Sequence, residues 1–418
     1  MNEVLTLEAR ESGYEMPERQ ENFGTEVDLA SRWLGGSVLA ASDESFGEKE
    51  ALLTPTPSAF VPGNYGPRGE IVDGWETRRR REAGHDWALI RLGAAGIITS
   101  IDVDTSCFTG NFPTTCRIEA CGVEGYPSPT ELNDPSTDWI EIVPRGPLAG
   151  DTHNRFAVTD PRRFTHVRLS VHPDGGIARL RVYGHVVPDP RLFDGLTIDL
   201  ASQDHGGQVV TSSDGFYTSA AMLNRPDKAR TMGEGWETRR RRDDGNDHAI
   251  IRLALPGHIQ LVEIDTAHFK YNASAEVALS SAAQSSDAPA WKPLLLRQRL
   301  QPDTRHLFRV ASVEQPCSLV RLDAFPDGGI SRVRLWGRID AAARAEAGLR
   351  WFNSLPAAQA TAVLLHKGQS VEQATQIASH RPLRGSSPAA VIDALTSKLP
   401  AGANVTAAAS IEEILSGA

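Results

Sequence analysis

A stretch of twenty residues occurs twice in this chain of 418 residues, and this repetition constrains the fold more than any other feature. Residues 73–92 read DGWETRRRREAGHDWALIRL, and residues 234–253 read EGWETRRRRDDGNDHAIIRL. The same offset of 161 positions relates Asp104 to Asp265 and Asn111 to Asn272. Because a fixed offset kept over such a distance does not arise from composition, the pattern predicts a duplicated domain.

Each copy consists mainly of short strand signals. The runs WALIRLG (87–93) and HAIIRLA (248–254) have the length and the β-branched content of strands. Each copy closes with two alternating runs around a PDGG turn, which predicts a hairpin. A copy of roughly 160 residues built from short strands and close turns predicts a β-sandwich.

The chain divides into four parts on these signals. We predict an N-terminal arm over residues 1–21, a first repeat over residues 22–187 (repeat 1) and a second over residues 188–340 (repeat 2). From residue 341 the sequence becomes Ala-rich, with a helix-start signal at Ser387-Pro388. Residues 341–418 therefore form a predicted helical C-terminal appendage.

Bulk properties exclude several classes of partner. Asp and Glu outnumber Lys and Arg by 53 to 43, and the net charge of −10 argues against nucleic acid. No stretch has the length and apolarity of a membrane span, and the polar N-terminus has no apolar signal core. The four cysteines fit no zinc spacing and indicate free thiols. We therefore predict a cytoplasmic protein.

The repeated WETRRRR motif supplies the first candidate site. On a strand, Arg78 and Arg80 would share one face, and they need carboxylate partners or an anionic ligand. Arginine suits bidentate capture of a carboxylate, but an ion-pair network that ties strands together is an equally good interpretation. Both interpretations stay open from the sequence.

The second candidate site compares VDTSCFTGN (103–111) with IDTAHFKYN (264–272). An acid at a strand end followed by an Asn offers hydrogen-bond acceptors and donors together, although the same residues also make good turns. His85 and His268 are candidates for general acid–base work near neutral pH. A hydrogen-bonded surface role is the competing interpretation of each histidine.

The motifs DGWETRRRR, GHDWALIRLG and IDVDTSCFTGN, with the duplicated PDGG segments, resemble the allantoicase family over about residues 22–340. That resemblance implies a mainly β fold with two tandem jelly-roll β-sandwiches, galactose-binding-like, to which the sequence adds a small C-terminal helical segment. It implies hydrolysis of allantoate to (S)-ureidoglycolate and urea in allantoin degradation, a part of purine metabolism. That family is associated with divalent metal, but the sequence declares no ligand set, so no metal ligands are assigned and the cofactor stays open.

The implied reaction assigns roles to the repeated residues. We predict a catalytic carboxylate–histidine pair drawn from His85, Asp104, Asp265 and His268. The side chains predicted to bind the small anionic ureido substrate are Trp75, Glu76, Arg78, Arg80, Asp86 and Asn111 in repeat 1, and Trp236, Glu237, Arg239, Arg241, Asp247 and Asn272 in repeat 2. The alternatives are a tandem carbohydrate- or ligand-binding module without catalysis, or a hydrolase of a related ureido acid such as ureidoglycolate. A homo-oligomer is predicted from the paired arginine ladders.

Overall fold

The computed structural model describes residues 26–283, 289–310, 315–399 and 404–417. The predicted arm, residues 1–21, lies outside this described part of the chain. Two β-rich units follow each other, and a group of helices follows them.

Repeat 1 is built on one eight-stranded antiparallel sheet. The strands of repeat 1, including two short pairs outside this sheet, are β1 (Val27–Asp28), β2 (Ser37–Ala41), β3 (Tyr65–Gly66), β4 (Gly69–Glu70), β5 (Trp75–Glu76), β6 (Asp86–Asp104), β7 (Thr115–Cys121), β8 (Ile140–Pro147), β9 (His153–Ala157), β10 (Arg163–His172), β11 (Gly176–Ile177) and β12 (Arg179–Val186). The order in the sheet is β1-β12-β6-β10-β7-β8, with β2 and β9 also paired to β6. One short helix, α1 (Pro129–Leu132), precedes β8.

The long strand β6 bends and joins two layers. Its first half pairs with β2 and β10, and its second half pairs with β9 and β12. Val171 lies opposite Asp86, and Arg179 lies opposite Asp104. Since the few residues between Val171 and Arg179 span at most about 27 Å, Asp86 and Asp104 must lie at the same end of the sandwich. This end of each repeat carries the repeated polar residues.

Repeat 2 reproduces the arrangement. Its strands are β13 (Ile198–Asp199), β14 (Gln208–Ser212), β15 (Trp236–Glu237), β16 (Asp247–Asp265), β17 (Glu276–Ala282), β18 (Lys292–Arg299), β19 (Arg305–Arg309), β20 (Cys317–Phe325), β21 (Gly329–Ile330) and β22 (Arg332–Ile339). The sheet order is β13-β22-β16-β20-β17-β18, with β14 and β19 paired to β16. The 3-10 helices of both repeats are Arg32–Leu34, Lys49–Leu53, Pro190–Phe193, Gln203–His205, Ala220–Met222 and Met232–Glu234.

Each repeat has its own hydrophobic core between the two layers. The inward side chains alternate along β6 and β16, and Trp75 and Trp236 are completely buried at matching positions. Because burial of a large aromatic side chain is a major source of stability, each tryptophan fixes the start of its repeated motif against the core. The predicted mainly β fold of two tandem jelly-roll sandwiches with a C-terminal helical segment is confirmed.

Two local predictions were wrong. The PDGG segment does not form a hairpin, because β10 and β12 both pair with β6 and belong to different layers. A two-residue strand after the turn, β11, pairs instead with β5. WETRRRR is also not a continuous strand, since strand pairing stops at Glu76 and residues 77–80 run as a loop held by side-chain contacts.

The C-terminal helices are α2 (Ala341–Ser354), α3 (Ala357–His366), α4 (Val371–Ser379), α5 (Pro388–Thr396) and α6 (Asn404–Ser416). The predicted start of α5 is confirmed, since the Ser387 hydroxyl accepts from the Ala390 amide. Trp351 and Phe352 lie in a separate core that also contains Val187 of repeat 1. Among the helices in the described part of the chain, none has the length and apolar character that a bilayer crossing requires.

Candidate active site

The repeated arginines are held by carboxylates of the chain itself. Arg78 forms an ion pair with Asp43, and Arg80 Nη1 lies 2.7 Å from Asp86 Oδ1. Repeat 2 has the same pairs, with Arg239 Nε 2.9 Å from Asp214 Oδ2 and Arg241 Nη1 2.9 Å from Asp247 Oδ1. These contacts match the ion-pair network that the sequence left open.

The tryptophans of the motif serve the same arrangement. Trp75 Nε1 donates to the carbonyl oxygen of Asp43 at 2.8 Å, and Trp236 Nε1 donates to that of Asp214 at 2.9 Å. Both rings are fully buried, so neither indole has an exposed surface that a substrate could contact in this structure. Each indole therefore positions the carboxylate that pairs with Arg78 or Arg239.

A carboxylate–amide pair occupies the same end of each repeat. Asn111 Nδ2 donates to Glu76 Oε1 at 2.7 Å, and Asn272 Nδ2 donates to Glu237 Oε1 at the same distance. Burial raises the pKa of Glu76, while the hydrogen bond from Asn111 opposes that rise. The structure brings these predicted residues together, and their role in substrate binding stays a prediction.

His85 lies in a basic cavity of about 500 Å³ on repeat 1. Arg80, Arg117 and Arg168 line this cavity with His85. Burial lowers the pKa of His85, and the charges of Arg117, Arg80 and Arg168 lower it further. Glu119 neutralises part of this charge, because it pairs with both Arg117 and Arg168.

Asp104 is not part of the wall around His85. Its Oδ1 accepts from the backbone N–H of Ser106 at 2.8 Å, in the turn that ends β6. Neither of the predicted catalytic carboxylates, Asp104 and Asp265, therefore lines the cavity of His85.

Asp265 and His268 line one cavity of about 810 Å³ in repeat 2. The charged side chains that share its wall are Asp199, Asp204, Lys228, Glu263, Asp265, Asp303, Arg305, Arg332 and Arg334. A concave site that combines guanidinium groups with carboxylates suits a small anion that also carries N–H donors.

The structure fixes the orientation of His268. Its backbone has φ of 70°, and its N–H donates to Asp303 Oδ1 at 2.7 Å. The imidazole Nε2 lies 3.0 Å from the carbonyl oxygen of Ala229. Because a carbonyl oxygen only accepts, Nε2 carries the hydrogen, and Nδ1 of the neutral ring is left as a proton acceptor.

The arginines of this cavity differ in how many of their N–H groups are hydrogen-bonded within the protein. Arg332 is 1% exposed and donates to Asp227 and to backbone carbonyl groups. Arg305 makes two bonds of 2.7 Å to Glu263 through Nε and Nη2. Burial alone would raise the pKa of Glu263, but the hydrogen bonds from Arg305 and Trp336 lower it. The half-exposed Arg305 therefore presents a fixed cation to the cavity.

Repeat 1 holds a different pair at the equivalent position. His153 Nδ1 lies 2.9 Å from Asp102 Oδ2, where repeat 2 has Arg305 and Glu263. Cys107 stands at the position of His268, and both have φ of 70°. Burial raises the pKa of Asp102, while the charge and the hydrogen bond of His153 oppose the rise.

Sequence reasoning missed His153, Glu263 and Arg305. A signal existed, because Asp102 and Glu263 precede Asp104 and Asp265 by two residues and therefore share a strand face with them. The partners on β9 and β19 lie more than forty residues away and differ in type between the copies. A comparison that looked for identical residues could not find them.

A divalent metal has no evident set of ligands. Within the described ranges, no group of three His, Cys, Asp or Glu side chains is placed to hold an ion. The four cysteines are free thiols, and burial raises the pKa of Cys116 and of Cys121 to about 12. These buried thiols are therefore protonated and are poor ligands as they stand.

Comparison with known proteins identifies the repeats. The family described as "Allantoicase repeat" matches residues 27–187 and 198–340. A probable allantoicase of Streptomyces coelicolor is 47% identical, over 77% of this chain and 88% of the relative. A probable allantoicase of Nocardia farcinica is 49% identical, over 75% of this chain and 94% of the relative.

A solved structure agrees with this. The crystal structure of allantoicase from Saccharomyces cerevisiae is 34% identical, with a TM-score of 0.64, over 75% of this chain and 93% of that one. Both repeats therefore agree with these proteins in sequence, and the fold agrees as well. The chain belongs to the allantoicase family.

Proposed function

We infer that this protein hydrolyses allantoate to (S)-ureidoglycolate and urea in purine degradation. The observation that carries this function is the match of both repeats to the allantoicase family, with relatives 47–49% identical. The non-catalytic binding module is not favoured by these relatives. The small anionic ureido substrate follows from the same likeness, whereas assembly into a homo-oligomer stays a prediction.

We place the reaction in the cavity of repeat 2 that holds Asp265 and His268. This cavity joins a predicted carboxylate to a predicted histidine, and it adds the cations Arg305 and Arg334. The His85 cavity of repeat 1 offers arginines but no catalytic carboxylate among its lining residues. Repeat 1 would then serve mainly as the folded partner of repeat 2.

The cavity matches the chemical groups of allantoate. The substrate has a carboxylate and two ureido arms on one carbon atom. Arg305 uses Nε and Nη2 for Glu263, so Nη1 and the nearby Lys228 are the donors that we assign to the carboxylate. The carboxylates of Asp265 and Asp303 suit the ureido N–H groups.

His268 supplies the proton transfers of the proposed mechanism. Nδ1 removes a proton from water as the water oxygen bonds to the central carbon atom. The C–N bond to one ureido arm breaks, and the proton passes to that nitrogen, so that urea leaves. Atoms balance, because water contributes its hydroxyl to ureidoglycolate and its remaining hydrogen to urea. The Asp265 carboxylate accepts a hydrogen bond from an N–H of the ureido arm and so holds the arm in position.

The first test is urea release from allantoate by the purified full-length protein, before and after treatment with a chelator. We expect urea together with an equal amount of ureidoglycolate. Loss of activity in chelator, restored by a divalent cation, would show a metal requirement. A folded protein that releases no urea under either condition would contradict the proposed function.

The duplication supplies a matched control for the site. We expect His268→Ala to lower kcat by about 100-fold or more, the usual range for a lost general acid–base group. Asp265→Asn should lower kcat as well, because it removes the charged acceptor that holds the ureido arm in position. The equivalent changes in repeat 1, Cys107→Ala and Asp104→Asn, should leave kcat within about twofold. Large losses only in the repeat 1 variants would move the site to that repeat, and thermal unfolding of each variant would separate misfolding from lost chemistry.

A further inference from the structure

A second cavity, of about 440 Å³, lies where the two repeats meet helix α2. Its wall includes residues 184–187 of repeat 1, residues 252–256 of repeat 2 and Arg350 of α2. It shares only His205 with the wall of the Asp265–His268 cavity. We call it the junction pocket, and nothing in the proposed reaction uses it.

The charged side chains of the junction pocket are all basic. Arg252 and Arg350 line it together with His185 and His205, and no carboxylate stands among its described lining residues. This is unusual in a chain whose acidic residues exceed its basic residues by ten. The local excess of positive charge points to an anionic occupant.

The two guanidinium groups have few partners within the protein. Arg252 donates through Nη2 to Gln208 Oε1. Across the residues that the structure describes, neither Arg252 nor Arg350 forms an ion pair with a carboxylate. Arg350 is partly exposed, but the partial desolvation of its guanidinium lowers its pKa, and the charge of Arg252 lowers it further. An anion between two like charges would remove this repulsion.

The remaining wall suits a small organic ligand. Both arginines are open to solvent, so a ligand can reach them. Gln208 and Ser318 add hydrogen-bonding groups, while Leu255 and Pro188 add apolar surface. The volume falls in the ordinary range of about 300–1,000 Å³ for small-molecule sites.

We propose that the junction pocket is a binding site for a small oxyanion, a carboxylate or a phosphate, held between Arg252 and Arg350. Arg350 lies beyond residue 340, where the match to the allantoicase family ends. The helical segment therefore completes a site that the two repeats cannot form alone. This inference does not rest on the proposed catalytic function, because it concerns binding and a separate cavity.

The test is calorimetric titration of the full-length protein with inorganic phosphate and, separately, with malonate. We expect saturable binding of one anion per chain, and the tighter of the two probes identifies the ligand class. Arg350→Gln and Arg252→Gln should each weaken binding by about tenfold or more, because each removes a charge-assisted hydrogen-bond donor. Arg384→Gln, on an exposed arginine of the same helical segment, should bind as the parent does.

Two results would overturn the proposal. One is the absence of saturable binding of either anion, measured at a constant ionic strength set with chloride. The other is an unchanged affinity in both arginine variants. Thermal unfolding without ligand checks that each variant is folded, and Arg252→Gln keeps the test valid if Arg350→Gln does not fold. His205 is left unchanged, because it also lines the Asp265–His268 cavity.

Discussion

Two aspartates, the partly buried Asp28 and the buried Asp199, hold the first strand of each repeat against its last strand. Asp28 Oδ1 accepts from the amides of Ala30 at 3.2 Å and Val182 at 3.0 Å. Asp199 Oδ1 accepts from the amide of Leu335 at 2.8 Å. Burial raises the pKa of Asp28 to about 6 and also raises that of Asp199, although the neighbouring arginines oppose both rises.

We expect Asp28→Asn to stabilise the protein at neutral pH but not in acid. Asn keeps the accepting oxygen and removes the buried charge. With a folded-state pKa of about 6, Asp28 stabilises the fold below pH 3.8 and loses that contribution as pH rises to about 6. The gain in unfolding free energy should therefore be near zero below pH 3.8 and at most about 3 kcal/mol above pH 6.

Urea unfolding of Asp28→Asn and the parent at both ends of this pH range is the measurement. Asp199→Asn is the matched variant of repeat 2 and should change stability with the same sign. An equal loss of stability at both pH values would show instead that the carboxylate itself is required.

At the residue scale, residues that are identical in the two copies include hydrogen-bonded pairs that the fold brings together. The pairs Glu76–Asn111 and Arg80–Asp86 recur in repeat 2 because each belongs to the sequence that was conserved within the duplication. The Asp102–His153 pair could not be predicted, since its members come from strands 51 residues apart. Its counterpart in repeat 2 also consists of different residue types.

At the scale of elements, one buried arginine per repeat holds a long connecting segment. Arg179, the first residue of β12, is 1% exposed. It donates to the carbonyl oxygens of Thr56 at 2.9 Å and of Asp73 at 3.0 Å, and pairs with the Asp73 carboxylate at 2.7 Å. The Pro/Gly-rich segment 54–73 is thus an ordered connection that is fixed by its ends.

We expect Arg179→Gln to loosen this segment selectively. The change removes several bonds from one buried guanidinium, at a cost of about 3 kcal/mol. Hydrogen exchange of the backbone amides should become faster in residues 56–73. Arg332, the equivalent residue, holds Asp227 and Glu234, so Arg332→Gln should act on residues 227–234. Equal effects of both variants on both segments would contradict this local role.

The strand signals of the sequence were reliable where apolar residues alternate. They could not show that WALIRLG and the run after it form one strand, because Gly93 and Gly96 look like a break. The structure passes through them with a large bulge, since β10 pairs on both sides of it. The turn residues of PDGG were likewise visible, but the pairing of the strands on either side depends on contacts far away in sequence.

At the scale of the whole molecule, the helical segment is joined to both repeats. Gln359 Nε2 donates to Glu124 Oε1 of repeat 1 at 2.7 Å, and the same carboxylate pairs with the buried Arg163. Arg191 lies over the Trp351 ring, 4.3 Å from its centre. The sequence predicted a helical segment from its Ala-rich composition and from the start signal at Ser387-Pro388. It did not predict the surface that the helices cover, because the contacts involve single side chains from distant parts of the chain.

Arg344 ties the first and last helices to the start of repeat 2. It is 5% exposed, and its Nε and Nη2 lie 2.6 and 2.9 Å from the two carboxylate oxygens of Asp194. Its Nη1 donates to the carbonyl oxygens of Ile414 and Leu415. The fork of the guanidinium serves two partners at once, which a lysine cannot reproduce.

We therefore expect Arg344→Gln to release α6 without unfolding the sandwiches. The lost bonds cost about 3 kcal/mol, and they act at the end of the chain, where local opening is easiest. Hydrogen exchange should accelerate in residues 404–417 and stay unchanged in β6 and β16, while Arg384→Gln should alter neither region. If protection of β16 falls together with that of α6, the helices and the sandwiches unfold as one cooperative unit, and the helical segment would then be part of the fold of repeat 2.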